Sequence, residues 1–106
     1  MSVIKGIIAN KGFIEGKVKL VKNPGEYLED EEEVIIVTEY TTPQMTISLM
    51  NAKAVITTKG GLTCHAAIVS RELGIPCLVG VEKAFELLNE GDKIQVNANE
   101  GYIKKL

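Results

Sequence analysis

The chain lacks any apolar run approaching the about 18–20 residues needed to span a bilayer, and its opening stretch, MSVIKGIIAN, lacks the long apolar core of a secretory signal. Both absences point to a cytoplasmic protein without a membrane partner. No lysine/arginine cluster of the kind that grips a nucleic acid backbone occurs in the sequence, which argues against nucleic acid binding but not against a local anion site. Only two cysteines are present, Cys64 and Cys77, with no CxxC pair and no Cys/His quartet, so neither zinc nor a thioredoxin-like couple is indicated. In the cytosol both are expected to be free thiols. There is one histidine, His65, with no ligand partner at suitable spacing, and no metal site is expected. No internal repeat or low-complexity linker divides the chain, and 106 residues make room for one domain, 1–106, rather than two.

What is present is the composition of a globular domain, 45% hydrophobic and 25% charged. The net charge of -2 hides an asymmetry. Five acidic residues are consecutive, Glu29, Asp30, Glu31, Glu32 and Glu33, and outside them twelve basic residues outnumber nine acidic ones. The block reads as a solvated turn, with a docking patch as the functional alternative.

Residues 3–8 and 13–21 are short β-branched stretches punctuated by Gly6, Gly12, Gly16 and the turn signal Asn23-Pro24-Gly25, which predicts a hairpin or meander. Residues 34–37, VIIV, and 54–57, AVIT, are continuous apolar runs, the pattern of strands covered on both faces. Between them Thr41-Thr42-Pro43 offers a hydroxyl cap and a first-turn proline to a short helix whose Met45, Leu49 and Met50 are expected to fill core space. A second helix is predicted over 64–73, closed by Gly74 and followed by Pro76. A strand at 77–79, a helical turn at 84–88 and a hairpin from 93–96 to 102–103 complete the reading. Strands followed by strand-helix units imply an α+β fold, a mixed sheet with packed helices in a β/β/α arrangement.

The chemistry concentrates where the second apolar strand runs into Lys59-Gly60-Gly61 and then into the helix carrying His65. Two glycines let successive N–H groups turn toward one anion, and a helix N-terminus adds unpaired donors and a favourable dipole. A neutral imidazole there can act as a nucleophile toward phosphorus, with Lys59 or Arg71 offsetting the transferred charge. A Cys64/His65 nucleophile-base pair is weaker, because adjacent residues at a helix start diverge by about 100°. On residue chemistry alone, a capping or partly buried histidine without any reaction remains open.

The run from 60 to 80, GGLTCHAAIVSRELGIPCLVG, closely resembles the active-histidine segment of the mobile, swivelling phosphohistidine domain of phosphoenolpyruvate-utilising enzymes. It most resembles the phosphoenolpyruvate synthase variant, with pyruvate phosphate dikinase and enzyme I of the sugar phosphotransferase system as relatives. The likeness extends from Gly12 and Gly16 through Thr41-Thr42-Pro43 to Gly91-Asp92 and Gly101. It implies a swivelling domain whose His65 is phosphorylated on a ring nitrogen and shuttles between a nucleotide site and a phosphoenolpyruvate/pyruvate site. Thr63 matches a threonine that is a regulatory phosphorylation target in dikinase- and synthase-type members; a helix cap is the alternative. Cys64 matches the synthase-type motif, with a small packing residue as its alternative, and Arg71-Glu72 match motif positions that otherwise form an exposed charged pair. The closing Val96-Asn97-Ala98 departs from the aspartate-glycine of many relatives.

The expected reading is therefore a phosphoryl carrier with His65 as nucleophile and Lys59, Gly60, Gly61, Thr63, Cys64 and Arg71 around the phosphate. No cofactor is expected on this chain itself. ATP and Mg would be used by partner polypeptides, one nucleotide-binding and ATP-grasp-like, the other a barrel that binds phosphoenolpyruvate or pyruvate. A non-catalytic interaction or regulatory module of the same fold is the leading alternative, and a Cys64/Cys77 redox module a third.

Overall fold

Successive residues of the central strands face two different cores, and this alternation sets the architecture. The computed structural model describes residues 3–23 and 33–106. Its strands are β1 (Ile4–Lys5), β2 (Ile7–Asn10), β3 (Phe13–Val21), β4 (Val34–Thr38), β5 (Ala54–Thr57), β6 (Cys77–Val79), β7 (Lys93–Asn97) and β8 (Tyr102–Lys105). Its helices are α1 (Thr46–Met50), entered through a 3-10 turn at Pro43–Met45, α2 (His65–Leu73) and α3 (Ala84–Leu87). In β4, Ile35 and Val37 join Val18, Ile56, Leu78, Ile94, Val96 and Ile103 in one cluster. The intervening Ile36 joins Val55, Cys77 and Val79 against Met45, Leu49, Ala66 and Ala67 of the helical layer. Burial of each of these isoleucines and leucines stabilises the fold by about 1.5–3 kcal/mol, which is why VIIV and AVIT contain no polar alternation.

The sheet is mixed, in the order β1-β8-β7-β3-β4-β5-β6-β2. Strands β3 to β6 run parallel, while β1, β7, β8 and β2 pair antiparallel with their neighbours. Its two end strands, β1 and β2, are consecutive stretches of one segment on either side of Gly6. Residues 4–10 therefore tie β8 to β6, and the sheet curls into a ring around the larger cluster. The Gly6 N–H crosses to the Gly101 carbonyl at 3.1 Å at the changeover. This is the α+β, mixed-sheet fold with packed helices that the sequence predicts.

Three local expectations are corrected. The first two strand segments do not form a hairpin: β2 pairs with β6, and β3 with β4 and β7, because covering both faces of the parallel strands outweighs the nearest turn. Met50 is 61% exposed, since α1 ends there after burying Met45 and Leu49 on its inner side. The Thr42 hydroxyl does not cap the turn it precedes, and its oxygen is buried without a hydrogen-bond partner among the described residues. The Pro24-Gly25 turn and the acidic residues 29–32 lie outside the described residues, whereas Glu33 enters β4 with a φ of 61°.

Candidate functional site

Strands β4 and β5 end side by side, Thr38 opposite Thr57, and each of these threonines bends the outgoing chain. The Thr38 hydroxyl donates to the Tyr40 carbonyl at 3.0 Å and that of Thr57 to the Lys59 carbonyl at 2.7 Å. The two loops stay zipped beyond the strands. Thr58 N–H donates to the Thr38 carbonyl and Lys59 N–H to the Glu39 carbonyl, both at 3.0 Å, and Lys59 Nζ meets Glu39 Oε1 at 3.0 Å. This zipper brings Thr41 alongside the start of α2.

The glycine loop turns on Gly60, whose φ of +104° strains any residue with a side chain, and a Cβ there would fall 2.9 Å from Cys64 Sγ. Gly61 has open space around its Cα. A turn closes with Cys64 N–H donating to the Gly61 carbonyl at 3.1 Å, and α2 begins with Ile68 N–H on the Cys64 carbonyl at 3.1 Å. Cys64 is thus the N-cap and supplies no side-chain cap bond, and the first turn holds no acidic residue. The helix N-terminus keeps its orphan N–H donors and its positive dipole end. At the other end Gly74 adopts the left-handed cap conformation with φ 72°, as Gly favours.

His65 is the first residue of α2, half-buried, with Nδ1 2.7 Å from Thr41 Oγ1. Thr41 is itself buried, at 6% exposure, so it holds one edge of the imidazole from beneath. This leaves Nε2 as the ring nitrogen not engaged by Thr41. Gly60, Gly61, Leu62 and Thr63 are exposed beside it. An open cleft of about 480 Å³, lined by Ile7, Thr58, Lys59, Gly60, Gly80 and Glu82, borders the same loop.

The structure gathers Lys59, Gly60, Gly61, Thr63 and Cys64 into one loop leading to His65, although the Lys59 ammonium is paired with Glu39. Thr63 is not the helix cap; Cys64 occupies that position. Arg71 departs from expectation. It lies in the last turn of α2, about 9 Å along the axis from His65, and its Nε donates to the Ala9 carbonyl of β2 at 2.8 Å. Six residues of rise and a backbone acceptor on β2 separate it from the 59–64 loop. Thr41 is the residue that sequence reasoning assigned otherwise, as part of a helix cap, since no local spacing links it to a histidine 24 positions away.

Cys77 is fully buried on β6 beneath α2, its Sγ 4.0 Å from the Ala66 carbonyl. Burial pushes its thiol up to about 11, against a smaller opposing pull from a hydrogen bond to Ser70. Both cysteines are free thiols, Cys64 partly exposed. Among the described residues no group of three or more His, Cys, Asp or Glu side chains could hold a metal ion, and no helix is long and apolar enough to cross a membrane.

Residues 30–101 match the family model of the PEP-utilising enzyme, mobile domain. The chain is 43% identical over 101 residues to a probable phosphoenolpyruvate synthase of Methanothermobacter thermautotrophicus, covering 95% of this chain and 15% of that protein. It is 39% identical over 102 residues to rifampicin phosphotransferase of Bacillus subtilis, covering 95% of this chain and 12% of the relative. The chain therefore spans about an eighth of the length of these relatives. Among solved structures, aconitase X of Thermococcus kodakaraensis shares the fold, with a TM-score of 0.76 at 20% identity over 100% of this chain and 99% of that one. An enzyme I structure superimposes with a TM-score of 0.61 at 32% identity, over 71% of this chain and 31% of the other. With the family model covering most of the chain and a relative at 43% identity along 95% of it, this protein belongs to the mobile-domain family of PEP-utilising enzymes.

Proposed function

We propose that the chain is a phosphoryl carrier in which Nε2 of His65 takes a phosphoryl group from one partner site and delivers it to another. The observation that carries this reading is the 2.7 Å contact between Thr41 Oγ1 and His65 Nδ1 at the uncapped start of α2. With the proton on Nδ1 and donated to Thr41, the Nε2 lone pair attacks the donor's phosphorus. An N–P bond forms as the donor's P–O bond breaks, and the leaving oxygen keeps the electron pair. Transfer onward reverses these roles at an acceptor oxygen. The phosphoryl oxygens would be met by the exposed N–H groups of the 60–63 loop and the dipole end of α2. Lys59 would add its charge on exchanging Glu39 for phosphate, and Thr63, exposed in the same loop, would be the place for a regulatory phosphate.

The two partner sites would be a nucleotide-binding, ATP-grasp-like unit using ATP and Mg, and a barrel unit binding phosphoenolpyruvate or pyruvate, neither of which fits within 106 residues. Family membership and the identity to a probable phosphoenolpyruvate synthase support this pair. The test is intact mass spectrometry at neutral to alkaline pH after incubation with a phosphoenolpyruvate-dependent donor enzyme, and separately with phosphoramidate, a chemical phosphoryl donor. An acid-labile phosphoryl group on wild type and none on His65→Gln, at an unchanged thermal midpoint, is the expected result. A chain that phosphoramidate and every donor enzyme leave unmodified would instead be an interaction module that keeps only the fold.

A further inference from the structure

We propose that the outer face of β1, β8, β7 and β3 is a docking surface for an acidic protein partner, separate from the His65 loop. Cross-strand register assigns the residues to this face. Lys17 lies opposite Lys93, Glu15 opposite Gln95, Gln95 opposite Lys104, and Lys5 opposite Tyr102. Directly opposed residues share a face, and the alternate set, Ile14, Val18, Ile94, Val96 and Ile103, points into the core. Helices α1 and α2 belong to the other half of the ring, α2 packing on β2, β5 and β6, so among the described residues neither of them lies over the lysine-bearing face.

Its charge is one-sided. Lys5, Lys17, Lys93 and Lys104 make no ion pair among the described residues, while the nearby carboxylates Glu90 and Asp92 are taken by Lys19 at 3.6 Å and Lys105 at 3.3 Å. Glu15 is the one carboxylate in these rows, and its Oε2 accepts from Gln95 Nε2 at 3.1 Å. Lys53 reaches in at the border, donating to the Glu15 carbonyl at 3.1 Å. Neighbouring strands are about 4.8 Å apart, so the directly opposed Lys17 and Lys93 act within one screening length of about 10 Å, while Lys5, three strands from Lys17, extends the basic face beyond it. The opposed Lys17–Lys93 pair is a like-charge contact that weakens the sheet, and an incoming carboxylate would turn it into an attraction. Phe13 and Leu106, 50% and 60% exposed, line an open cleft of about 530 Å³ together with Lys53, Lys93 and Glu15, an apolar contact with two lysines and one carboxylate around it.

A protein surface fits this face better than a nucleic acid does. The chain as a whole is acidic, with a net charge of -2, and repels an extended polyanion, whereas a compact carboxylate patch feels mainly the local lysines. Such a face steers fast, salt-sensitive encounters without tight binding, and it leaves the His65 loop uncovered.

The test follows amide shifts of the labelled chain in NMR on titration with tetra-L-glutamate, a compact cluster of carboxylates. At about 20 mM salt, shifts should cluster on β3, β7 and β8 and weaken as salt is raised. A Lys17→Gln/Lys93→Gln/Lys104→Gln variant should bind about tenfold more weakly, and His65→Gln should bind like wild type, which separates this surface from the carrier reading. A Lys11→Gln/Lys22→Gln/Lys83→Gln variant should retain binding. Shifts elsewhere, an equal loss in that second variant, or tighter occupation of the face by a single-stranded DNA oligonucleotide would overturn the proposal.

Discussion

The Thr41 hydroxyl lies 2.7 Å from Nδ1 of His65, across 24 positions of sequence. The contact exists because two parallel strands end together and their loops remain hydrogen-bonded past the sheet. It orients the only imidazole of the chain and leaves Nε2 as the ring nitrogen that Thr41 does not engage.

Thr41→Val removes the oxygen while keeping the side-chain shape. Phosphorylation of His65 by phosphoramidate, followed by 31P NMR, is expected to slow by about 10-fold to 100-fold through loss of ring orientation. Thr41→Ser should recover most of the rate. Equal rates for Val and wild type would show that the hydroxyl plays no positioning part.

The two glycines of the loop should respond differently to alanine. At Gly60 the φ of +104° and the approach of Cys64 predict a loss of about 1–3 kcal/mol, with slower phosphorylation as the loop shifts. At Gly61, where nothing stands within 4 Å of an added Cβ, the change should stay within about 0.5 kcal/mol. Urea unfolding of the two variants decides it, and equal losses would contradict the difference in geometry.

Arg71→Ala deletes the donor to the Ala9 carbonyl. Stability should fall by about 1 kcal/mol while the phosphoramidate rate stays at the wild-type value. A rate loss without a stability loss would return Arg71 to the phosphate site.

Cys77 gives a pH signature. Its folded thiol ionises near 11 against an ordinary 9.0, so its contribution is fully present below pH 9 and is lost as pH rises from 9 toward 11, because the unfolded thiol ionises first. The loss should reach about 2–3 kcal/mol and vanish in Cys77→Ala. Under native conditions at neutral pH, iodoacetamide should label Cys64 in preference to Cys77, read by peptide mapping.

The buried strands at 34–37 and 54–57, the helix closed by Gly74 and the closing hairpin were all legible in the chain, because apolar continuity, glycine conformational freedom and cap chemistry act over a few residues. The loop running into His65 was legible in the same way, as glycines followed by a helix start, and the family resemblance rested on that stretch. The partners of those elements were not. β2 reaches β6 and β3 reaches β7 because burying both faces of the parallel strands outweighs the nearest turn, and local spacing carries no record of that competition. For the same reason only the tertiary structure turned Thr41 from a cap into the support of His65, moved Arg71 onto the Ala9 carbonyl and assembled lysines from four strands on one face. Short-range propensity is written residue by residue, whereas a side chain's partner is decided by which strands lie side by side.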